Sequence, residues 1–392
     1  MRKSGFGLTG ALAALALAAA IAGPAAAQDK DTVKVGFIGP LTGGVSANGL
    51  GGRNSADLAV KLRNEDANAK YHYELEVLDD ECKPNTGVQA ATKLGADREV
   101  IAAATHYCSA VAIATVGTYN RFGLPVVVWG AVLPDITYGN DYKEVHRVNG
   151  TMINQNQVAA EFMREQGYET WVSIHDTTDY GKGHDQYFTE SVEGLGGKIL
   201  GRFGVTADQQ DFTAELTQAK SLDPDVIYFG GLTPLGVRIR AQMDKLGVEA
   251  QFQGTSGIVS DAFIEGLGPL AEGALAFREG APTEKLPGGQ FFLEKYNAAG
   301  YEQPPEAYGA FAFAAMNLIL DAIEEVGPDR ELVRDWLNNV DGRDSIVGEI
   351  TFDDHGQNTV ALITKYVSQD GAWTLWEDSE YATGQRKLTG QQ

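Results

Sequence analysis

Between residues 33 and 277 the sequence alternates short apolar runs with helical stretches, and a chain with that rhythm has few folds open to it. The spacing predicts a strand over 33–38, a glycine-rich loop over 40–52 and a helix over 55–64. Strand 73–78, helix 86–96, strand 100–104, helix 110–122 and strand 125–129 follow. Segment 134–149 has no strong periodicity, and then the alternation restarts: helix 155–166, strand 170–175, helix 184–195, strand 199–205 and helix 212–221. Strand 226–229, helix 234–246, strand 250–253 and a short helix near 261–266 complete the second run. Parallel strands need helical crossovers, which cover both faces of the sheet. The chain therefore reads as α/β, with two doubly wound parallel-sheet lobes. The halves share a pattern but no residue-level repeat.

A strand over 273–277 and a proline- and glycine-rich connector over 280–289 come next. Helices 290–298, 306–326 and 330–339 follow with no strand between them, and three helices without a sheet must pack back onto an existing lobe. The tail returns to strands at 349–352, 361–367 and 373–376, with turns over 353–356 and 369–372; the last dozen residues are polar and expected to fray. At 392 residues the chain exceeds one ordinary core and suits two.

The compartment is set at the N-terminus. Arg2 and Lys3, the apolar run 8–21, the Gly23-Pro24 breaker and Ala25-Ala26-Ala27 read as a signal peptide (1–27) cut after Ala27. No cysteine follows the cut to carry a lipid, and no later stretch has the uninterrupted apolar length of a membrane span. With 31 basic and 53 acidic residues the formal charge is −22, which makes nucleic acid and anionic membrane surfaces poor partners. In an oxidising compartment the only two cysteines, Cys82 and Cys108, pair. Each follows a predicted strand, so the bond would tie two neighbouring strand ends. Closing that loop restricts the unfolded chain by about 3 to 4 kcal/mol in the chain-entropy account.

Several chemical signals lead nowhere. Gly5-Phe6-Gly7-Leu8-Thr9-Gly10 has the dinucleotide spacing but lies in the leader and follows no strand. The histidines at 72, 106, 146, 175, 184 and 355 show no metal-ligand spacing, and no cofactor motif is present. Asp79-Asp80-Glu81 at a strand end reads as solvated or helix-capping carboxylates rather than a catalytic cluster. His175-Asp176 is adjacent on a strand, so the two side chains point to opposite faces. An enzyme, such as a hydrolase, is therefore a distant alternative.

Read together, several segments resemble one family. They are Lys34-Val35-Gly36-Phe37-Ile38-Gly39-Pro40-Leu41-Thr42-Gly43, Asp79-Asp80-x-Cys82, Cys108-Ser109, His175-Asp176 with Tyr180-Gly181-x-Gly183, Tyr228-Phe229-Gly230-Gly231, and Thr351-Phe352-Asp353 with Gly356. In this order they are similar to the periplasmic leucine/isoleucine/valine-binding proteins, over essentially the whole mature chain. The resemblance implies a type I periplasmic binding fold whose lobes are joined by a three-crossing hinge and close on a small ligand. It also implies an ABC importer whose permease and ATPase are separate chains. The lobes would be 28–150 with about 280–356, and 151–279 with about 357–392. The crossings fall near 149–152, near 278–280 and within about 354–359. A soluble periplasmic sensor of small aromatic or aliphatic acids is the alternative role, because fold alone does not choose between them.

The same resemblance assigns a site. Ser109, opening a helix, matches the residue whose hydroxyl and N–H hold the ligand carboxylate, and a helix N-terminus offers unpaired donors and a positive dipole end. Gly130-Ala131-Val132 matches the second carboxylate-holding loop, with Val132 where a threonine is common. Tyr180 and Tyr308 match pocket aromatics, and Asn48 and Leu232 stand where some members carry tyrosine. Tyr107 and Trp129 lie beside the expected cleft. In Thr255-Ser256, Ser256 replaces the acid that pairs with the α-ammonium of amino-acid ligands. A buried ammonium without a carboxylate is costly. Either the ligand lacks an ammonium, or another acid or a set of hydroxyls and carbonyls takes it up.

Overall fold

A computed structural model describes residues 30–359 and 362–391, with Met1 and Gly5. The leader reading lies outside the described residues. In chain order the first half contains β1 (Thr32–Gly39), α1 (Ser46–Glu65), β2 (His72–Asp79), α2 (Pro84–Ala96), β3 (Val100–Thr105), α3 (Ser109–Phe122), β4 (Val126–Val128), α4 (Asp135–Tyr138) and β5 (Val145–Arg147). The five strands are parallel in the order β2-β1-β3-β4-β5. Helices on both faces leave β3 fully buried, and its alanines let those helices approach closely.

The second half contains α5 (Met152–Glu165), β6 (Thr170–Asp176), α6 (Asp179–Gly194), β7 (Lys198–Val205), α7 (Thr213–Leu222), β8 (Val226–Gly230), α8 (Thr233–Leu246), β9 (Gln251–Gly254), α9 (Asp261–Leu267) and β10 (Leu275–Glu279). These strands repeat the same winding order, β7-β6-β8-β9-β10. Helices α10 (Gly289–Ala298), α11 (Gly309–Val326) and α12 (Arg330–Asn338) then return to the first sheet. There Phe292, Phe313, Ile319 and Val333 join the core built on Val35, Phe37 and Trp129. A short hairpin of β11 (Arg343–Ser345) and β12 (Gly348–Ile350) precedes β13 (Ile363–Gln369) and β14 (Ala372–Leu375), which extend the second sheet, β13 antiparallel to β10 and β14 antiparallel to β13. The second lobe is thus mixed rather than wholly parallel.

The chain passes between the two halves after Arg147, after Glu279 and between Ile350 and Ile363. The first and third passages are tied together: Arg147 N–H donates to Gly356 O, Asn358 N–H to Arg147 O, and the Gln357 amide to Asn149 O. Gly280, in the second passage, has φ +81, which glycine adopts without strain.

Three expectations fail for physical reasons. Most of the glycine-rich stretch is helical, because α1 starts at Ser46. Gly43, at φ +85, turns the chain ahead of α1, but the helical glycines serve packing: a Cβ on Gly52 would sit 2.7 Å from the Trp129 ring and one on Gly51 2.7 Å from Pro305 O. The aperiodic segment 134–149 hides α4 and the edge strand β5, each too short to show a period. The polar C-terminus does not fray: Arg386 pairs with Glu272, Asp370 and Glu380, and Leu388 is buried.

Candidate functional site

In a 2-1-3-4-5 winding, the loops leaving β1 and β3 diverge to opposite faces and open a crevice at the carboxyl ends of the strands. Cys108 and Ser109 follow β3 at that point. The Cys82–Cys108 disulfide, Cα–Cα 5.5 Å, spans the end of β1. Because β1 lies between β2 and β3, the two strand ends it joins are not neighbours, as the sequence suggested, but flank a third. The carboxylates beside it close loops: Asp79 accepts from Leu41 N–H and Thr42 O–H, and Asp80 bonds His106 Nδ1 at 2.9 Å.

Cys108 is the N-cap of α3, and its sulfur, held in the disulfide, forms no side-chain cap. The first intrahelical bond is made by Val111 N–H to Cys108 O, so the N–H groups of Ser109 and Ala110 precede it. Ser109 is the first helical residue, and its Oγ accepts from Val132 N–H at 3.1 Å and Leu133 N–H at 3.2 Å. The hydroxyl proton is thereby left to donate elsewhere. This bond pair also shows what the 130–132 loop contributes: backbone, in place of the hydroxyl that Val132 lacks.

That loop is held from behind by Arg147, which is fully buried. Its guanidinium donates to Leu133 O at 2.6 Å, Ala131 O at 3.3 Å, Thr137 Oγ1 at 2.9 Å and Gln357 Oε1 at 2.5 Å. Burial among neutral acceptors lowers its pKa to about 10. Sequence reasoning missed Arg147, because an arginine in a segment with no period gives no sign of burial.

Opposite, the carboxyl end of the second sheet supplies Thr178 and Tyr180 after β6, Leu232 after β8 and Ser256-Gly257 after β9. The Tyr180 hydroxyl lies 2.8 Å from Thr255 Oγ1 and accepts from Gly257 N–H at 3.0 Å. Tyr308, at the start of α11, reaches in from the first lobe and meets Tyr107 edge to face at 5.6 Å. Between these walls lies a cavity of about 40 Å³, room for very few waters as the lobes stand.

Of the site residues expected from sequence, Tyr107, Ser109, Gly130, Val132, Tyr180, Leu232, Ser256 and Tyr308 border this cavity, together with Cys82 and Cys108. Thr255 stands one hydrogen bond behind Tyr180. Ala131 and Asn48 are buried away from the cavity wall: Ala131 N–H donates to His106 O, and Asn48 lies on α1. Trp129 backs Tyr107 at 5.8 Å without bordering the cavity. No group of three or more potential metal ligands occurs among the described residues.

A family model described as "Periplasmic binding protein" matches residues 32–372. The leucine-, isoleucine-, valine-, threonine- and alanine-binding protein of Pseudomonas aeruginosa is 29% identical over 351 residues, 88% of this chain and 92% of that protein. A Leu/Ile/Val-binding protein homologue of Brucella suis is 28% identical over 363 residues, 91% and 95% of the two chains. The crystal structure of a leucine-binding protein from Thermotoga maritima superposes with a TM-score of 0.81 at 26% identity, covering 88% of this chain and 97% of that one. With matched sequence across both lobes and a type I arrangement of two sheets around one cleft, the chain belongs to the periplasmic binding protein family.

Proposed function

We propose that this protein is the periplasmic solute-binding component of an ABC importer of the branched-chain amino acid type, exported through a leader cleaved after Ala27. It captures a small carboxylate-bearing ligand, an amino acid or a close relative, between lobes 28–150 with 280–356 and 151–279 with 357–392. The three passages act as the hinge, and separate permease and ATPase chains read the closed form. The observation that carries this reading is the convergence of the Ser109-Ala110 helix start with Tyr180 and Ser256-Gly257 from the other lobe across one small cavity. A carboxylate at the helix start receives N–H groups, the positive dipole end and the free Ser109 proton. Ligand then stabilises the closed state through contacts that only that state offers. Among the described residues Ser109 Oγ is engaged by two backbone amides and by no side-chain base.

The test is a thermal-shift screen of mature protein, unfolded and refolded to strip carried ligand, against aliphatic amino acids, aromatic carboxylates, amides and urea. A ligand at a hundredfold its Kd adds about 2.7 kcal/mol and a visible rise in Tm. A screen in which no small solute raises Tm would refute the reading.

A further inference from the structure

Ser256 puts a hydroxyl where an amino-acid site needs a carboxylate, yet a carboxylate stands directly behind Tyr308, another residue of the cavity wall. Glu279 ends β10 at the second passage between the lobes and is 1% exposed. Its Oε2 accepts from the Tyr308 hydroxyl at 2.7 Å, and Tyr308 borders the cavity. Its Oε1 has no hydrogen-bond partner among the described residues.

The nearby cations, Arg278 and Arg147, bear on Glu279 electrostatically but form no ion pair with it among the described residues, and Arg278 Nε is itself left without a partner. Arg278 donates to the Tyr366 hydroxyl at 2.9 Å and lies over that ring. Arg147 spends its donors on Ala131, Leu133, Thr137 and Gln357. A carboxylate buried in this way, half satisfied and without an ion-pair partner, costs stability. Burial pushes its pKa up, and its charge bears on the hydroxyls of Tyr107, Tyr180 and Tyr308, three residues that border the cavity. Glu306, the other acid near Tyr107, is only half-buried and already engaged by the Gln303 amide.

We propose that Glu279 receives the ammonium group of the ligand, so that the site takes α-amino acids in preference to the same acids without the amine. The inference rests on the solute-binding reading above and deepens it. The ligand lies with its carboxylate at Ser109-Ala110 and its ammonium toward Glu279 and Tyr308. The acid stands on the hinge strand rather than on the loop after β9, one hydrogen bond behind Tyr308 and not itself in the cavity wall, so the ligand's ammonium meets it past the Tyr308 hydroxyl.

Calorimetric titration of the refolded protein, Glu279→Gln, Glu279→Asp and Glu306→Gln tests it, with leucine, valine and alanine set against 4-methylpentanoate, 3-methylbutanoate and benzoate. The wild type is expected to bind at least one amino acid more tightly than its deaminated counterpart. Glu279→Gln should lose about 10- to 100-fold in affinity for that amino acid while its affinity for the deaminated acid stays within a few-fold. Glu306→Gln should change neither. Should Glu279→Gln fail to fold, Glu279→Asp, which keeps the charge, must retain a measurable preference for the amine. The proposal is overturned if Glu279→Gln keeps the wild-type preference, if Glu279→Asp folds and shows no preference, or if the wild type binds only amine-free acids. In that last case the solute-binding reading survives; if nothing binds the wild type, both fall.

Discussion

Removing the Ser109 hydroxyl separates two roles that the structure gives to one atom. Ser109 Oγ accepts from Val132 N–H and Leu133 N–H, both buried, and its own proton is free for a ligand carboxylate. In Ser109→Ala each amide loses its partner, at a cost of about 1 to 3 kcal/mol if it stays dry. The cavity lies alongside and can admit water, so the expected loss of unliganded stability is at the lower end, about 2 kcal/mol in total. A charge-assisted hydrogen bond to the ligand adds about 1.5 to 3 kcal/mol of binding. The two freed amides can turn to the same carboxylate, which sets the expected loss of affinity at about 1 to 3 kcal/mol, roughly 5- to 150-fold. Urea unfolding without ligand reads the first effect, and calorimetry with the tightest ligand reads the second. A variant that unfolds earlier yet binds as tightly as wild type would make Ser109 a clamp for the 130–133 loop and remove it from ligand contact. Unchanged stability would contradict the geometry itself.

Three other outcomes follow from particular contacts. Gly52→Ala drives a methyl to 2.7 Å from the Trp129 ring, where the rigid indole and the helix cannot both yield; a loss of about 1 to 3 kcal/mol in denaturant midpoint is expected, and a neutral result would mean α1 can shift as a body. The double variant Cys82→Ser with Cys108→Ser should lose about 3 to 4 kcal/mol, measured against wild type with and without reductant, since reductant must lower only the wild type. His146 is wholly buried, and burial lowers its pKa from 6.5 to about 4. Because the unfolded chain takes up the proton first, stability is kept above pH 6.5 and lost by about 3 kcal/mol as pH falls toward 4. The His146 imidazole resonance, assigned by its loss in His146→Gln, titrating near 6.5 in the native protein would refute this.

The sheets, the disulfide and the start of α3 at Ser109 were legible because each leaves a local mark: apolar runs at strand spacing, two cysteines each placed after a predicted strand, a serine opening a helical run. Trp129 and Gly52 show the limit. The glycines of 43–52 read as a loop because sequence shows their backbone freedom, whereas Gly51 and Gly52 are used to let α1 approach the Pro304-Pro305 backbone and the indole. Arg147 and Glu279 were illegible for a related reason. An acid closing the strand Leu275–Glu279 reads as solvated, yet it is buried and bonded to Tyr308, which arrives 29 residues later at the start of a helix. Burial assembled from distant segments has no periodicity to detect.

The Tyr180 hydroxyl is tethered to Thr255 and Gly257, partners in its own lobe. The ordering of this wall is therefore complete before any solute arrives, as part of folding the second lobe. Capture at the proposed site would then freeze few side-chain rotations beyond those of the solute itself, and the unfavourable entropy of closure would fall mainly on the hinge backbone. Under the proposed function, a preset wall of this kind would reward solutes of matching shape and penalise those that need it to rearrange, which would place selectivity in the resting lobe rather than in the closing motion.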